Sequence, residues 1–284
     1  MDRMDTYWRN GAVDDRAGDA DRGERVAGVV EAMRCYHTLI GPAVFRHADH
    51  LAHWRERAAA YGIDLPYGDG ELRRATLDLI ARAKARSCWV RARAARHPGG
   101  VDVTISLWRW GGAELGDDGP GPGVRARVIP LERTGYPAPI DAGAHRRAPA
   151  DATLLDNHAS VRGSAGESLF AVRGGVLATA PADRPAPGGV DRATVLDIAR
   201  DLGHPVVERP LTRADLAAAD EVFMTGAAAP VTPLREIDGR AVGAGAAGPV
   251  TRAVHGGLVA AYYGYTRRYH HWLDPVPVTV LSAM

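Results

Sequence analysis

The chain is almost devoid of lysine. Of its 35 basic residues only Lys84 is lysine, and the other 34 are arginine. Arginine stays protonated at any working pH and cannot form a Schiff base. Chemistry that needs a neutral primary amine therefore has one side chain available to it. Cysteine is scarce as well: Cys35 and Cys88 make neither a disulfide framework nor a metal site. Long apolar runs are missing and the first 30 residues are heavily charged. A membrane span and a signal peptide are both excluded by that pattern, so a cytoplasmic protein with no membrane partner is expected. Net charge is only +1, which gives no electrostatic case for nucleic acid as a partner. What is present is an ordinary globular composition, 46% hydrophobic and 24% charged over 284 residues, enough for two modest domains.

Tyr7 to Gly11 reads as a short strand entering a tight turn, and the polar stretch 12–25 reads as loop. Val26 to Tyr36 is a buried strand, continued at Ala43-Val44-Phe45. A helix is expected from about Asp49, with Leu51, Trp54, Ala58 and Tyr61 on one face, and a second from Asp69 or Gly70. Trp89, Arg91 and Arg93 then alternate with Val90, Ala92 and Ala94 along a strand. The Gly- and Pro-rich stretch 111–123 is the clearest linker. Beyond it come strands over 124–131, 152–155, 168–172 and 175–178, and a helix from Val190 stopped by Gly203. Thr212 and Asp215 mark a further helix start, and Pro249 opens the last helix. The organisation is α+β, with domains at 1–115 and 116–284.

Several segments resemble one family. Ala219–Leu234 (ADEVFMTGAAAPVTPL), followed by Gly248–Thr251 (GPVT), looks like the C-terminal signature of branched-chain aminotransferases and their class IV relatives. Glu167–Thr179 (ESLFAVRGGVLAT) resembles that family's G-E-N-L-F motif, and Val30–Tyr36 (VEAMRCY) resembles its F-E-G-I-R-x-Y. Phe45-Arg46-His47 resembles the start of its first helix, and Trp8 to Gly11 its opening strand. The matches keep the family's order over almost the whole chain. The resemblance implies a two-domain class IV aminotransferase-like fold, a small α/β domain plus a larger pseudo-barrel domain. It also implies pyridoxal phosphate between the domains and a homodimer.

Carried over position by position, the family's cofactor groups meet other residues. Gly143 falls near the Schiff-base lysine, and Gly163 aligns with the glutamate facing the pyridine nitrogen. The phosphate-binding arginine aligns with His53, and two phosphate-binding threonines align with Asp191 and Ala227. A carboxylate beside a phosphate is repulsive, by about 4 kcal/mol at 4 Å in an intermediate dielectric. These positions lead to the expectation of an enzyme without cofactor or metal. Its reaction would be the acid/base condensation, cyclisation or isomerisation of an amine- or carboxylate-bearing small molecule in specialised metabolism.

The residues expected to carry such chemistry are Asp191, His53 and His145. Arg91, aligned with a carboxylate-binding arginine, would bind substrate together with Arg34, Arg162 and the backbone of Gly226, Ala227 and Ala228. Simpler accounts stand beside these: Asp191 as a first-turn carboxylate, Arg91 as a salt-bridged edge residue, and Arg34 paired with Glu31. Two other functions are also open. One is a non-catalytic homologue that binds a metabolite or protein, and the other a pyridoxal phosphate transaminase with a displaced lysine, Lys84.

Overall fold

The computed structural model describes residues 3–14, 28–109, 119–130, 151–156, 160–163, 167–182, 189–226 and 229–277. The chain divides into two units, the first formed by Met1–Ala113 with Ala260–Met284, the second by Glu114–Val259.

In the first unit the alternating segments become strands β1 (Arg3–Arg9), β2 (Ala12–Asp14), β3 (Gly28–Thr38), β4 (Gly41–Phe45), β5 (Cys88–His97) and β6 (Gly100–Arg109). With Leu273–Pro275 from the C-terminal segment they form an antiparallel sheet; that last strand pairs with β4, and β2 closes the opposite edge. The expected loop after Gly11 therefore begins with a strand, because Ala12–Asp14 finds the free edge of β1. Two helices, α1 (His47–Ala60) and α2 (Asp69–Arg82), cover one face. Leu51, Trp54 and Ala58 recur at helical spacing and are buried against Val29, Met33, Cys35, Val90 and Ala92. The indole N–H of Trp54 donates to the Val29 carbonyl at 3.1 Å, so its burial leaves no polar atom unmet. Tyr61, expected on the same face, instead caps the helix C-terminus and is 63% exposed.

Register settles which side chains share a face. Glu31 opposes Ala92, Ala32 opposes Arg91, Arg34 opposes Trp89 and Cys35 opposes Cys88. Side chains alternate along a strand, so odd positions of β3 meet the helices. Arg34 and Tyr36 lie on the other face, as do Trp89, Arg91 and Arg93 of β5.

The second unit is a nine-stranded mixed sheet. Its strands include β7 (Val124–Pro130), β8 (Asp151–Asp156), β9 (Val161–Arg162), β10 (Glu167–Arg173), β11 (Val176–Thr179), β12 (Val206–Glu208), β13 (Glu221–Gly226) and β14 (Ala229–Ile237). Phe170 and Phe223, cross-strand partners on β10 and β13, stack with centroids 5.0 Å apart. Helix α3 (Gly189–Asp201) is followed by Gly203 at φ 81, the left-handed stop that its position suggests. Helix α4 (Arg213–Ala217) opens on a capping box in which Thr212 and Asp215 satisfy each other's backbone N–H groups. Helix α5 (Pro249–Tyr262) is capped from outside itself. Buried Glu221 accepts from the N–H groups of Val250 (3.0 Å) and Thr251 (2.7 Å). A Cβ on Gly248 would fall 2.1 Å from Cδ of Glu221, which leaves glycine as the residue that fits.

Candidate functional site

Two constellations in the first unit contain sequence-derived candidates. On the face of the sheet away from α1 and α2, Arg34 and Arg91 are diagonal neighbours across β3 and β5, a spacing within reach of long side chains. The Arg34 guanidinium sits 4.4 Å from the centre of the Trp89 ring and donates to the Tyr36 hydroxyl at 3.1 Å. Cation–π and hydrogen-bond contacts hold its plane fixed while it is almost fully buried. Arg91 is half-buried and flanked by its cross-strand partners Ala32 and Ser106.

On the helix-covered face, Glu31 is 4% exposed and accepts three hydrogen bonds. His50 Nδ1 lies 2.7 Å from one carboxylate oxygen; His53 Nδ1 (3.2 Å) and Arg57 Nη1 (3.0 Å) share the other. Burial by itself would raise the Glu31 pKa, but the hydrogen bonds from His50 and His53 outweigh it and bring the value down to about 2. The expected Arg34–Glu31 pairing gives way to these contacts because the two residues point to opposite faces of β3. His53 gives its Nδ1 side to Glu31, which leaves Nε2 for any other contact. That atom is buried with no hydrogen-bond partner among the described residues. Sequence reasoning missed Glu31, His50 and Arg57 as a group. The available signal was the spacing 50, 53, 57, which places all three side chains on one face of α1.

The second unit holds the remaining described candidates. Asp191 is in the first turn of α3, half-buried, where the helix dipole favours a carboxylate. Arg162 ends β9 and is half-buried, and Gly226 ends β13 and is buried. Gly163 follows Arg162, and a Cβ there would lie 2.5 Å from the Glu167 carbonyl oxygen. His145, Ala227 and Ala228 lie outside the described residues. Among the described residues no group of three or more His, Cys, Asp or Glu side chains could hold a metal ion. No helix among them is long and apolar enough to cross a membrane.

The architecture has known counterparts. The family model for amino-transferase class IV matches residues 28–237. The branched-chain-amino-acid aminotransferase of Salmonella typhimurium is 34% identical over 273 residues, covering 87% of this chain and 88% of its own. The crystal structure of a T.th. branched-chain amino acid aminotransferase with pyridoxamine 5'-phosphate is 30% identical. It superposes with a TM-score of 0.83 over 98% of this chain and 100% of that one. The same enzyme complexed with 4-methylvaleric acid gives 0.82 at 30% identity over the same shares.

These similarities confirm the α+β class IV aminotransferase-like fold and overturn the cofactor-free condensing, cyclising or isomerising enzyme expected above. That expectation rested on single aligned positions, two of which, Gly143 and Ala227, lie outside the described residues. The similarity runs through nearly the whole chain, to enzymes named as aminotransferases and to a structure that contains the amine form of the cofactor.

Proposed function

Because this chain belongs to the class IV aminotransferase family, we propose that it works on branched-chain amino acids and their 2-oxo acids by amino transfer. Sequence similarity over 87% of the chain carries this reading, and the neighbouring arginines on the face of β3 and β5 away from the helices support it. A planar guanidinium at Arg91 suits a substrate carboxylate, with two parallel N–H donors for its two oxygens. Arg34, held by Trp89 and Tyr36, adds positive potential beside it without needing to move.

Pyridoxal phosphate supplies the carbonyl and electron sink of amino transfer in this family, but the aligned residues do not fit it as side-chain ligands. Gly163 has no room for a glutamate, since any Cβ would strike backbone. Asp191 would set a carboxylate against the phosphate. His53 is turned by Glu31, so that one of its ring nitrogens is already engaged. A Schiff base to a side chain can form only at Lys84, which is exposed in the turn after α2 at φ 50. These features favour a second reading, a homologue that binds the same amino acids without turning them over.

One pair of measurements tests both. Calorimetric titration with 4-methylvaleric acid should show binding, weakened roughly 10- to 100-fold in Arg91→Gln, as loss of a charge-assisted pair implies. Amino transfer from leucine to a 2-oxo acid, with pyridoxal phosphate supplied, is then followed in the native chain and in Lys84→Ala. Transfer supports the first reading, and its loss in Lys84→Ala assigns the Schiff base. Binding without transfer supports the second reading. If the native chain neither binds 4-methylvaleric acid nor transfers the amino group, both are wrong.

A further inference from the structure

The chain has two cysteines, and the fold puts them opposite each other. Cys35 on β3 and Cys88 on β5 are direct cross-strand partners, separated by 53 positions in sequence. Both are fully buried, both are reduced, and both point to the helix-covered face. Directly opposed residues of an antiparallel pair have Cα atoms roughly 4.5–5.5 Å apart, inside the roughly 4.4–6.8 Å that a disulfide spans. The Cys88 thiol bonds to Cys35, which together with burial holds it well above the usual thiol range. Cys35 Sγ also lies 4.0 Å from the Arg86 carbonyl oxygen.

The location offers a route for reaction. Cys88 is the first residue of β5, and its partner on β6, Arg109, is the last of that strand. The pair thus ends the β3–β5 and β5–β6 ladders, where β5 opens most readily, while Cys35 stays paired with Val44 on β4. Ahead of it lies the turn and bend 83–87, which contains Lys84 in a left-handed conformation.

We propose that Cys35 and Cys88 are a two-electron redox pair, closed to a disulfide between neighbouring strands by a hydroperoxide when the end of the ladder opens. One thiolate attacks the peroxide oxygen, giving a sulfenic acid and releasing an alcohol, or water from hydrogen peroxide. The second thiol displaces the sulfenic oxygen as water, forming the S–S bond. The two sulfurs are oxidised by two electrons in total, and the peroxide is reduced by the same two. The closed loop would contain β4, α1 and α2, the helical layer that carries His50, His53 and Arg57. Cross-linking a loop of that length restricts the unfolded chain more than the folded one. The oxidised protein is therefore the more heat-stable form, and a thiol reductant reverses the change. This site does not depend on which reaction the protein performs.

The test treats the full-length reduced protein with hydrogen peroxide, then counts thiols in denaturant and digests it without reductant. The expected result is a fall from two titratable thiols to none, a linked peptide pair containing Cys35 and Cys88, and a Tm raised by several degrees until dithiothreitol is added. Cys35→Ser and Cys88→Ser should give neither the link nor the Tm change, and the variant that keeps the attacking cysteine should carry a sulfenic acid or its further oxidation product there. If a serine variant does not fold, the linked peptide in the native chain decides. Persistence of both thiols, their conversion to sulfinic acids without a link, or a link only between two chains would each overturn the proposal.

Discussion

Replacing Glu31 by glutamine keeps the shape of the buried side chain and removes its charge. Three donors, His50, His53 and Arg57, then face an amide that can accept from only part of the group and turns its own N–H bonds toward them. The carboxyl falls from an ordinary 4.5 to about 2 in the fold, which is worth about 3 kcal/mol at neutral pH. Breaking a buried ion pair by removing one partner costs roughly 3–5 kcal/mol, in agreement. The folded value lies below the unfolded one. The stabilisation is therefore complete above pH 4.5 and disappears as pH falls through the folded value near 2. All six tryptophans fall within the residue ranges of the first unit, so urea titrations followed by tryptophan fluorescence report on that unit alone. At pH 7 Glu31→Gln should be less stable than the native chain by about 3 kcal/mol, and the difference should shrink between pH 4.5 and pH 3. A difference under about 1 kcal/mol at pH 7, or one that is equal at pH 7 and pH 3, would refute the reasoning.

Three further outcomes concern the second unit, where far-UV circular dichroism replaces tryptophan emission. Gly163→Ala forces a Cβ against the Glu167 carbonyl, and overpacking against backbone should lower stability by about 1–3 kcal/mol; an unchanged Tm would mean the two segments are not so close. Glu221→Ala leaves the buried N–H groups of Val250 and Thr251 without an acceptor and should cost about 2–4 kcal/mol in urea titrations. Thr212→Ala removes the hydroxyl that bonds the Asp215 N–H, for a loss of about 1 kcal/mol. A Thr212→Ala protein as stable as the native one would show that the box is not formed in solution.

Much of the fold was legible because it depends on local pattern. Period-two alternation in Trp89 to Ala94 identified β5 and placed Arg91 opposite Val90 and Ala92. Gly203 and the Thr212–Asp215 pair marked helix ends through backbone geometry that few residues supply. Local pattern failed where a partner is distant. Ala12–Asp14 looked like loop because it opens a polar stretch, and it becomes a strand only beside β1. Tyr61 fits the apolar stripe of α1, but the helix stops one residue earlier. The candidate site shows the same limit. Strand alternation assigns Arg34 to one face and Glu31 to the other, and helical spacing puts His50, His53 and Arg57 on one face of α1, but neither pattern says that this face packs over Glu31.

By itself the sequence determined the family, the α+β class, the near absence of lysine and the presence of two cysteines, since composition and ordered motifs are properties of the chain. The tertiary structure decided which residues meet. It set Cys35 against Cys88, closed Gly163 onto the Glu167 carbonyl, and returned Leu273–Pro275 to pair with β4. Those outcomes depend on strand register and on contacts between segments far apart in sequence, which no local propensity encodes.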